Sequence, residues 1–287
     1  MGATLTPLVA VPLITGLGWR SVFYIFGLTG VIWAVGWYLY YRDRPEQHSG
    51  VNAAELAIIG QEDASGAPVA AERIQVPWGK ILLSRNMWRI CAMYFCYAYS
   101  LWIYLSWFPT YLQEARGFTP DEMKNRHAIA LGAATIGDSV GGWLSDRLAK
   151  RTGSLRLARR VVAVTGFVVG AVCIVPAALV DNREISVAFT AVALFSLELT
   201  VGVSWAVAMD VGPEYAGSVS GVMNMCGNMG GALASPAVPI LVTFFNWQTP
   251  FLVTSGLCLI GALIFLRIDP NERIFDKPAA SPEPITA

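Results

Sequence analysis

Residues 161–180 read VVAVTGFVVGAVCIVPAALV, an unbroken run without a single charged side chain. A hydrocarbon core of roughly 30 Å is crossed by about 20 apolar residues in helical form, so this stretch reads as a membrane helix. Moved outward in both directions, the same ruler finds eight such segments, at 2–17, 21–41, 89–112, 128–148, 161–180, 185–209, 218–243 and 247–266. Their continuous apolar character argues for helices, because barrel strands would alternate apolar and polar residues at every second position. The predicted fold class is all-α and polytopic.

Composition agrees. Of 287 residues 55% are hydrophobic and 14% charged, with a mean hydropathy of +0.51, which excludes an ordinary soluble domain. Most of the twenty-seven glycines and several of the sixteen prolines fall inside apolar runs, as membrane helices tolerate better than soluble ones do. Twenty basic residues balance twenty acidic ones, so no basic excess points to nucleic acid. Cys91, Cys96, Cys173, Cys226 and Cys258 sit in apolar stretches without paired spacing, so neither a metal site nor a disulfide framework is expected, and no cofactor motif is present. The chain is apolar from Gly2 and first basic at Arg20, which reads as a span rather than a signal peptide.

Orientation follows from where Lys and Arg lie in the connections. The 42–87 connection, the stretch after the fourth span and the tail together carry fourteen, and the opposite connections five. Both termini are therefore expected in the cytoplasm of an inner-membrane protein. Within the first of these connections Asn52-Ala-Ala-Glu55 has the spacing of a helix capping box, and 64–71 reads as a flexible linker.

The chain also echoes itself. Gly2-Ala-Thr-Leu-Thr-Pro7-Leu-Val9 resembles Gly231-Ala-Leu-Ala-Ser-Pro236-Ala-Val238, and Trp19, Phe23 and Gly27 are matched by Trp247, Phe251 and Gly256. Six spans separate the two copies, the pattern of a carrier built from two parallel six-helix halves. Gly18-Trp19-Arg20-x-x-Phe23, the run from Arg42-Asp-Arg-Pro45-Glu-Gln-His48 to Glu55, Trp107-Phe-Pro109-Thr-Tyr-Leu112, Gly141-Gly-Trp-Leu-Ser-Asp146-Arg147 and Ser220-Gly-Val-Met-Asn224 resemble the major facilitator superfamily. More narrowly they are similar to its anion:cation symporter branch, which includes permeases for sugar acids and aromatic acids. The resemblance implies twelve helices in two bundles, of which the first four are not matched here. On that frame 1–41 holds the last two helices of the first bundle, 42–87 the cytoplasmic linker, 88–270 the second bundle and 271–287 a cytoplasmic tail.

Four groups of residues could carry function. Gly142, Asp146 and Arg147 end the fourth span: glycine permits close helix approach, and Asp146 can pair with a helix N-terminus or with an arginine such as Arg147. The similar loop in the family latches the cytoplasmic side. Asp138 and Glu198 lie inside the fourth and sixth spans, where an acid costs at least ~2.5 kcal/mol and so marks a coupling or packing role. In the seventh span Gly221, Asn224, Asn228, Gly231 and Ser235 form a polar, small-residue stripe that reads either as packing glue or as a wall facing a polar solute. The resemblance places a central cavity along this helix and beside Ser204 and Trp205. Finally Tyr97, Tyr99 and Trp102 on the third span reach the depth of a midplane site, although aromatic stripes also serve as core. His48 and His127 fall in loops or span ends and receive no role.

The resulting expectation is a secondary transporter of a small organic acid, a sugar acid or an aromatic carboxylate, coupled to protons or sodium and working by alternating access within the lipid bilayer. A remnant that folds without transporting is the alternative. An intramembrane enzyme is disfavoured by the lack of a nucleophile elbow or ligand cluster, and no phosphate-cradling loop is present. No Lys or Arg stands in the middle of a span, so these segments offer a solute anion no fixed positive charge.

Overall fold

A computed structural model describes residues 2–59 and 75–275. The expected linker at 64–71 and the end of the tail lie outside the described residues. Among those described, helices dominate and no strand occurs. Helix α1 spans Gly2–Leu17, α2 Trp19–Tyr40, α3 Ala53–Ile59, α4 Trp78–Leu83, α5 Arg85–Ser106, α6 Phe108–Glu114, α7 Pro120–Thr152, α8 Leu155–Leu179, α9 Arg183–Val211, α10 Ala216–Phe244 and α11 Gln248–Phe265. Each of the eight expected segments is helical. Five of these regions, at α2, α8, α9, α10 and α11, are long and apolar enough to cross a membrane by that measure alone. The fold is that of an all-α, multi-pass membrane protein.

The helix ends follow from local chemistry. Thr119 caps α7 through the Glu122 amide, Glu122 returns a carboxylate to the Thr119 amide, and Pro120 occupies the first turn where no donor is needed. At the far end Gly153 adopts φ +67°, which stops the helix and turns the chain toward α8. Asn182 accepts from the amides of Glu184 and Ile185 and starts α9. The third expected span, by contrast, is two helices. Pro109 has no N–H for the preceding turn, so α5 ends at Ser106 and α6 begins at Phe108, with Trp107 between them. That indole then donates to the Ser235 carbonyl at 3.1 Å, an acceptor that Pro239 of α10 leaves without its normal helical donor.

Packing divides the chain into two compact units, residues 12–76 and residues 1–11 with 77–287. In the smaller unit α2 buries none of its residues, and Trp33, Trp37 and Tyr41 stack along it at centroid distances of 6.2 and 5.0 Å. The Asn52–Glu55 capping box forms as the spacing predicts, at 3.1 and 2.9 Å.

The larger unit is a helical bundle in which α7 packs on α9, α9 on α8, α8 on α11, α11 on α5 and α5 on α10. Tyr104, Phe108, Phe167 and Phe265 are among its largest fully buried side chains. α7 approaches α9 so closely at Gly137 and Gly141 that a Cβ there would strike the backbone of Phe195 and Leu199. The beginning of α1 belongs to this unit too, where the Thr4 hydroxyl meets that of Thr135 at 3.1 Å.

Candidate functional site

Where α7 ends and α8 begins, one guanidinium serves two acids. Arg159 Nη1 lies 2.9 Å from Asp146 Oδ1 and also donates to the Ser145 hydroxyl at 2.9 Å, while its Nε lies 3.3 Å from Asp210 Oδ2 at the end of α9. The arginine side chain is 9% exposed and that of Asp146 62%. Of the partners the sequence leaves open to Asp146, a helix N-terminus or an arginine such as Arg147, the structure provides an arginine, but it is Arg159 of α8 and not Arg147. Arg147 is rotated away on its own helix and lies over the Trp143 ring at 5.2 Å. Gly142 stands beside Gly202 of α9, where a Cβ on Gly202 would sit 3.5 Å from the Gly142 nitrogen. Asp210 and Arg159 are not among the site residues that the sequence singles out; Arg159 counts there only toward orientation. Asp210 falls one residue beyond the segment drawn at 209, and Arg159 precedes the segment drawn at 161.

Deeper in the bundle, a chain of contacts leads from an acid to an indole. Glu198 is buried and accepts from the Tyr97 hydroxyl at 2.9 Å. Tyr97 stacks on Tyr94 at 5.2 Å, and Trp205 donates its indole N–H to the Tyr94 oxygen at 3.0 Å. Tyr94 was not singled out beforehand, because its role becomes visible only when α5 and α9 meet. Asp138 is exposed and makes no hydrogen bond or ion pair among the described residues, and its carboxylate lies beside Gly202 of α9, 3.6 Å from where a Cβ there would stand. α7 meets the α9 backbone most closely at Gly137 and Gly141.

The seventh-span stripe divides by depth. Gly227, Gly230 and Gly231 face α5, where Cβ atoms would strike Tyr94, the Phe95 carbonyl and the Trp102 ring. Asn224, Asn228, Gly221 and Ser235 are exposed along the neighbouring edge. The amide of Asn228 is turned onto the Asn224 carbonyl at 2.9 Å, whereas the Asn224 side chain is left uncommitted among the described residues. Trp205 and Trp102 are partly exposed, at 36% and 38%. Of the seven residues expected to line a solute site, Ser204, Tyr97 and Tyr99 are buried. The Ser204 hydroxyl bonds the Thr200 carbonyl at 2.7 Å and faces Met93, because one residue along a helix is a rotation of about 100° from Trp205. His127 also differs from its expected span-end place: it is buried within α7, beside Phe108. No group of His, Cys, Asp or Glu that could hold a metal occurs among the described residues.

Comparison with known proteins follows this geometry. A family model described as Major Facilitator Superfamily matches residues 1–235. The chain is 35% identical over 272 residues to a probable sulfoacetate transporter of Cupriavidus necator, covering 94% of this chain and 62% of that protein. It is 30% identical over 288 residues to a hexuronate transporter of Bacillus subtilis, covering 98% of this chain and 64% of that one. The chain therefore spans less than two thirds of the length of these relatives. Its fold is similar to the crystal structure of a bacterial homologue of the human lysosomal transporter Spinster in an inward-facing conformation. That match has a TM-score of 0.60 at 15% identity and covers 93% of this chain and 63% of the other.

Proposed function

The chain belongs to the Major Facilitator Superfamily, and we propose that it serves to carry a small organic anion across a membrane by alternating access. The observation that carries this reading is the exposure of the Asn224 amide, uncommitted among the described residues, on α10 and of the Trp205 indole on α9, two otherwise apolar helices that both meet Tyr94. A polar face of that kind is unfavourable toward lipid and suited to a solute with oxygen acceptors and an apolar body. The named solutes of the two bacterial relatives, sulfoacetate and hexuronate, are organic anions and support this class.

In this reading Asn224 and Trp205 contact solute directly, with Asn228 and Trp102 at the margin and Tyr97, Tyr99 and Ser204 supporting them from behind. Glu198 and Asp138 are the acids that link solute movement to protons. Asp146 and Arg159 form the cytoplasmic gate. The basic connections put that end in the cytoplasm of an inner-membrane protein. Residues 1–41 and 88–270 contribute helices to two bundles joined by 42–87, a reading supported by Trp19 and Trp247 at the starts of the last helix of each copy.

The test is uptake of radiolabelled sulfoacetate and glucuronate into proteoliposomes containing the purified chain, with Asn224→Ala beside it. We expect saturable uptake, weakened in the variant by roughly 1 to 3 kcal/mol of solute affinity with the melting temperature preserved. Uptake no faster than in empty vesicles would overturn the reading. A variant that melts earlier but keeps its affinity would return Asn224 to a packing role.

A further inference from the structure

After α11 ends at Phe265, the chain runs back across the ends of three other helices. The Ile268 carbonyl accepts from Arg160 Nε and Nη2 at 3.2 and 2.9 Å. The Asp269 backbone exchanges two bonds with the Asn86 side chain, at 2.8 and 3.2 Å, and its carboxylate lies 3.2 Å from Arg156. Further on, the Ile274 N–H donates to the Val211 carbonyl at 2.8 Å, Arg273 reaches Glu214 at 3.4 Å, and the Phe275 ring packs on Tyr215 at 4.5 Å. Asn86 and Ile268 are fully buried and Phe275 nearly so.

Two of these contacts adjoin the shared ion pair. Arg160 is the neighbour of Arg159, and Val211 is the neighbour of Asp210. The Val211 carbonyl belongs to the last turn of α9, where carbonyls lack helical donors, and the segment supplies one. One short stretch thus holds the side chain of Arg160, next in sequence to Arg159, and the α9 backbone next to Asp210, and among the described residues it makes no hydrogen bond or ion pair with α7.

We propose that residues 267–275 are a strap that positions Arg159 and Asp210 against each other, leaving Asp146 as the partner that is exchanged when the gate opens. The strap itself stands on the contacts above, and its consequence for transport rests on the function proposed here. Phe275 and Ile274 are positioning residues within it.

The experiment compares Phe275→Ala and Ile274→Pro, each alone and combined with Asp210→Asn, in the purified chain. Hydrogen exchange should quicken by about tenfold or more at residues 210–215 in both strap variants, with exchange in the middle of α9 unchanged. In proteoliposomes the maximal rate of sulfoacetate uptake should fall several-fold without a change in KM, and the strap variants should cause no further fall once Asp210 is Asn. Unchanged exchange at 210–215 in the milder Phe275→Ala variant would overturn the strap. Losses in uptake that multiply with that of Asp210→Asn would overturn its link to the gate. If the unaltered chain shows no uptake, the transport reading fails, while the exchange measurement still decides the strap.

Discussion

The two ends of the α7–α9 pair are built from the same residue types and arranged differently. At the end where both helices start, Arg126 grips Glu184 with two bonds at 2.8 and 2.9 Å, and Arg183 returns to Glu122 at 3.1 Å. Each cation has its own anion, and Arg183 lies 4.5 Å and Arg126 6.0 Å from the buried ring of Phe118. Beside them Arg116 donates to the carbonyls of Ala177, Ala178 and Val180 and to Tyr111, closing the C-terminus of α8. At the other end a single buried arginine is divided between two acids. Reciprocal pairs crossing between the same two helices leave no spare partner, so that end acts as a staple. Two acids competing for one arginine can lose either one without stranding the charge, and that is the arrangement a switch requires. Between the two ends, the contact of Gly137 and Gly141 with the α9 backbone provides a close fulcrum.

The largest expected effect concerns which compartment each end faces. A single cysteine at Ser154, beside the shared arginine, should resist an impermeant thiol reagent added outside intact cells, and one at Asn182, beside the staple, should label fully. Both positions are helix caps with exposed surroundings. Labelling at 154 with protection at 182 would invert the orientation and make the staple the cytoplasmic end.

Next comes Arg159→Gln, which leaves Asp146 and Asp210 without their common cation. Removing one partner of a largely buried ion pair costs about 3 to 5 kcal/mol, read as a lowered unfolding midpoint of the purified chain. Adding Asp210→Asn should restore part of it. Asp146→Asn should cost no more than about 1 kcal/mol, since that carboxylate is mostly exposed, yet it should impair uptake by shifting the balance of gate states. Equal losses for Arg159→Gln and Asp146→Asn would erase the distinction between a shared and a dedicated pair.

Much of this contrast was legible in the sequence, and the part that was not has a geometric cause. The spans follow from hydropathy alone, and the Asn52 and Glu55 cap is a local pattern whose members are neighbours in any helix start. The glycines and Asp146 at the end of the fourth span mark the proposed gate in the sequence, but the arginine next in sequence is about 100° away around the helix. Its true partner arrives only after the chain turns at Gly153. Asp210 and Arg159 each lie just outside a boundary set by hydropathy, because charged residues end an apolar window by definition. The break at Trp107 was hidden inside an aromatic run that reads as continuous unless Pro109 is given its steric weight. Ser204 and Trp205 read as one region in the sequence, whereas adjacent helical positions point to different faces.

A smaller effect is expected at the staple. Arg126→Ala removes a bidentate pair whose members are 30% and 49% exposed, and exposed pairs contribute no more than about 1 kcal/mol. The melting temperature should barely move, and uptake should be unchanged. A loss comparable to that of Arg159→Gln would show the two ends to be equally strained and would remove the reason for calling only one of them a switch.

The smallest effect is a pH dependence confined to the staple end. The Glu122 carboxyl is held below the usual carboxylate range first by the backbone N–H of Thr119, which together with the Thr119 hydroxyl and Arg183 outweighs the opposing effect of desolvation. A lower value in the folded state means that the folded chain binds fewer protons than the unfolded one in this range. Its contribution is therefore complete above the ordinary glutamate value and is lost as pH falls through the folded value. Acidification should release the Thr119 cap and the Arg183 contact together, lowering the protection against hydrogen exchange in the first turn of α7 relative to the intrinsic rate at each pH. Glu122→Gln keeps the shape but carries no charge, so it should show the lower protection already at neutral pH and no further loss on acidification. Protection in that turn that still falls with pH in the Gln variant would assign the effect to another group and leave the staple without its titrating member.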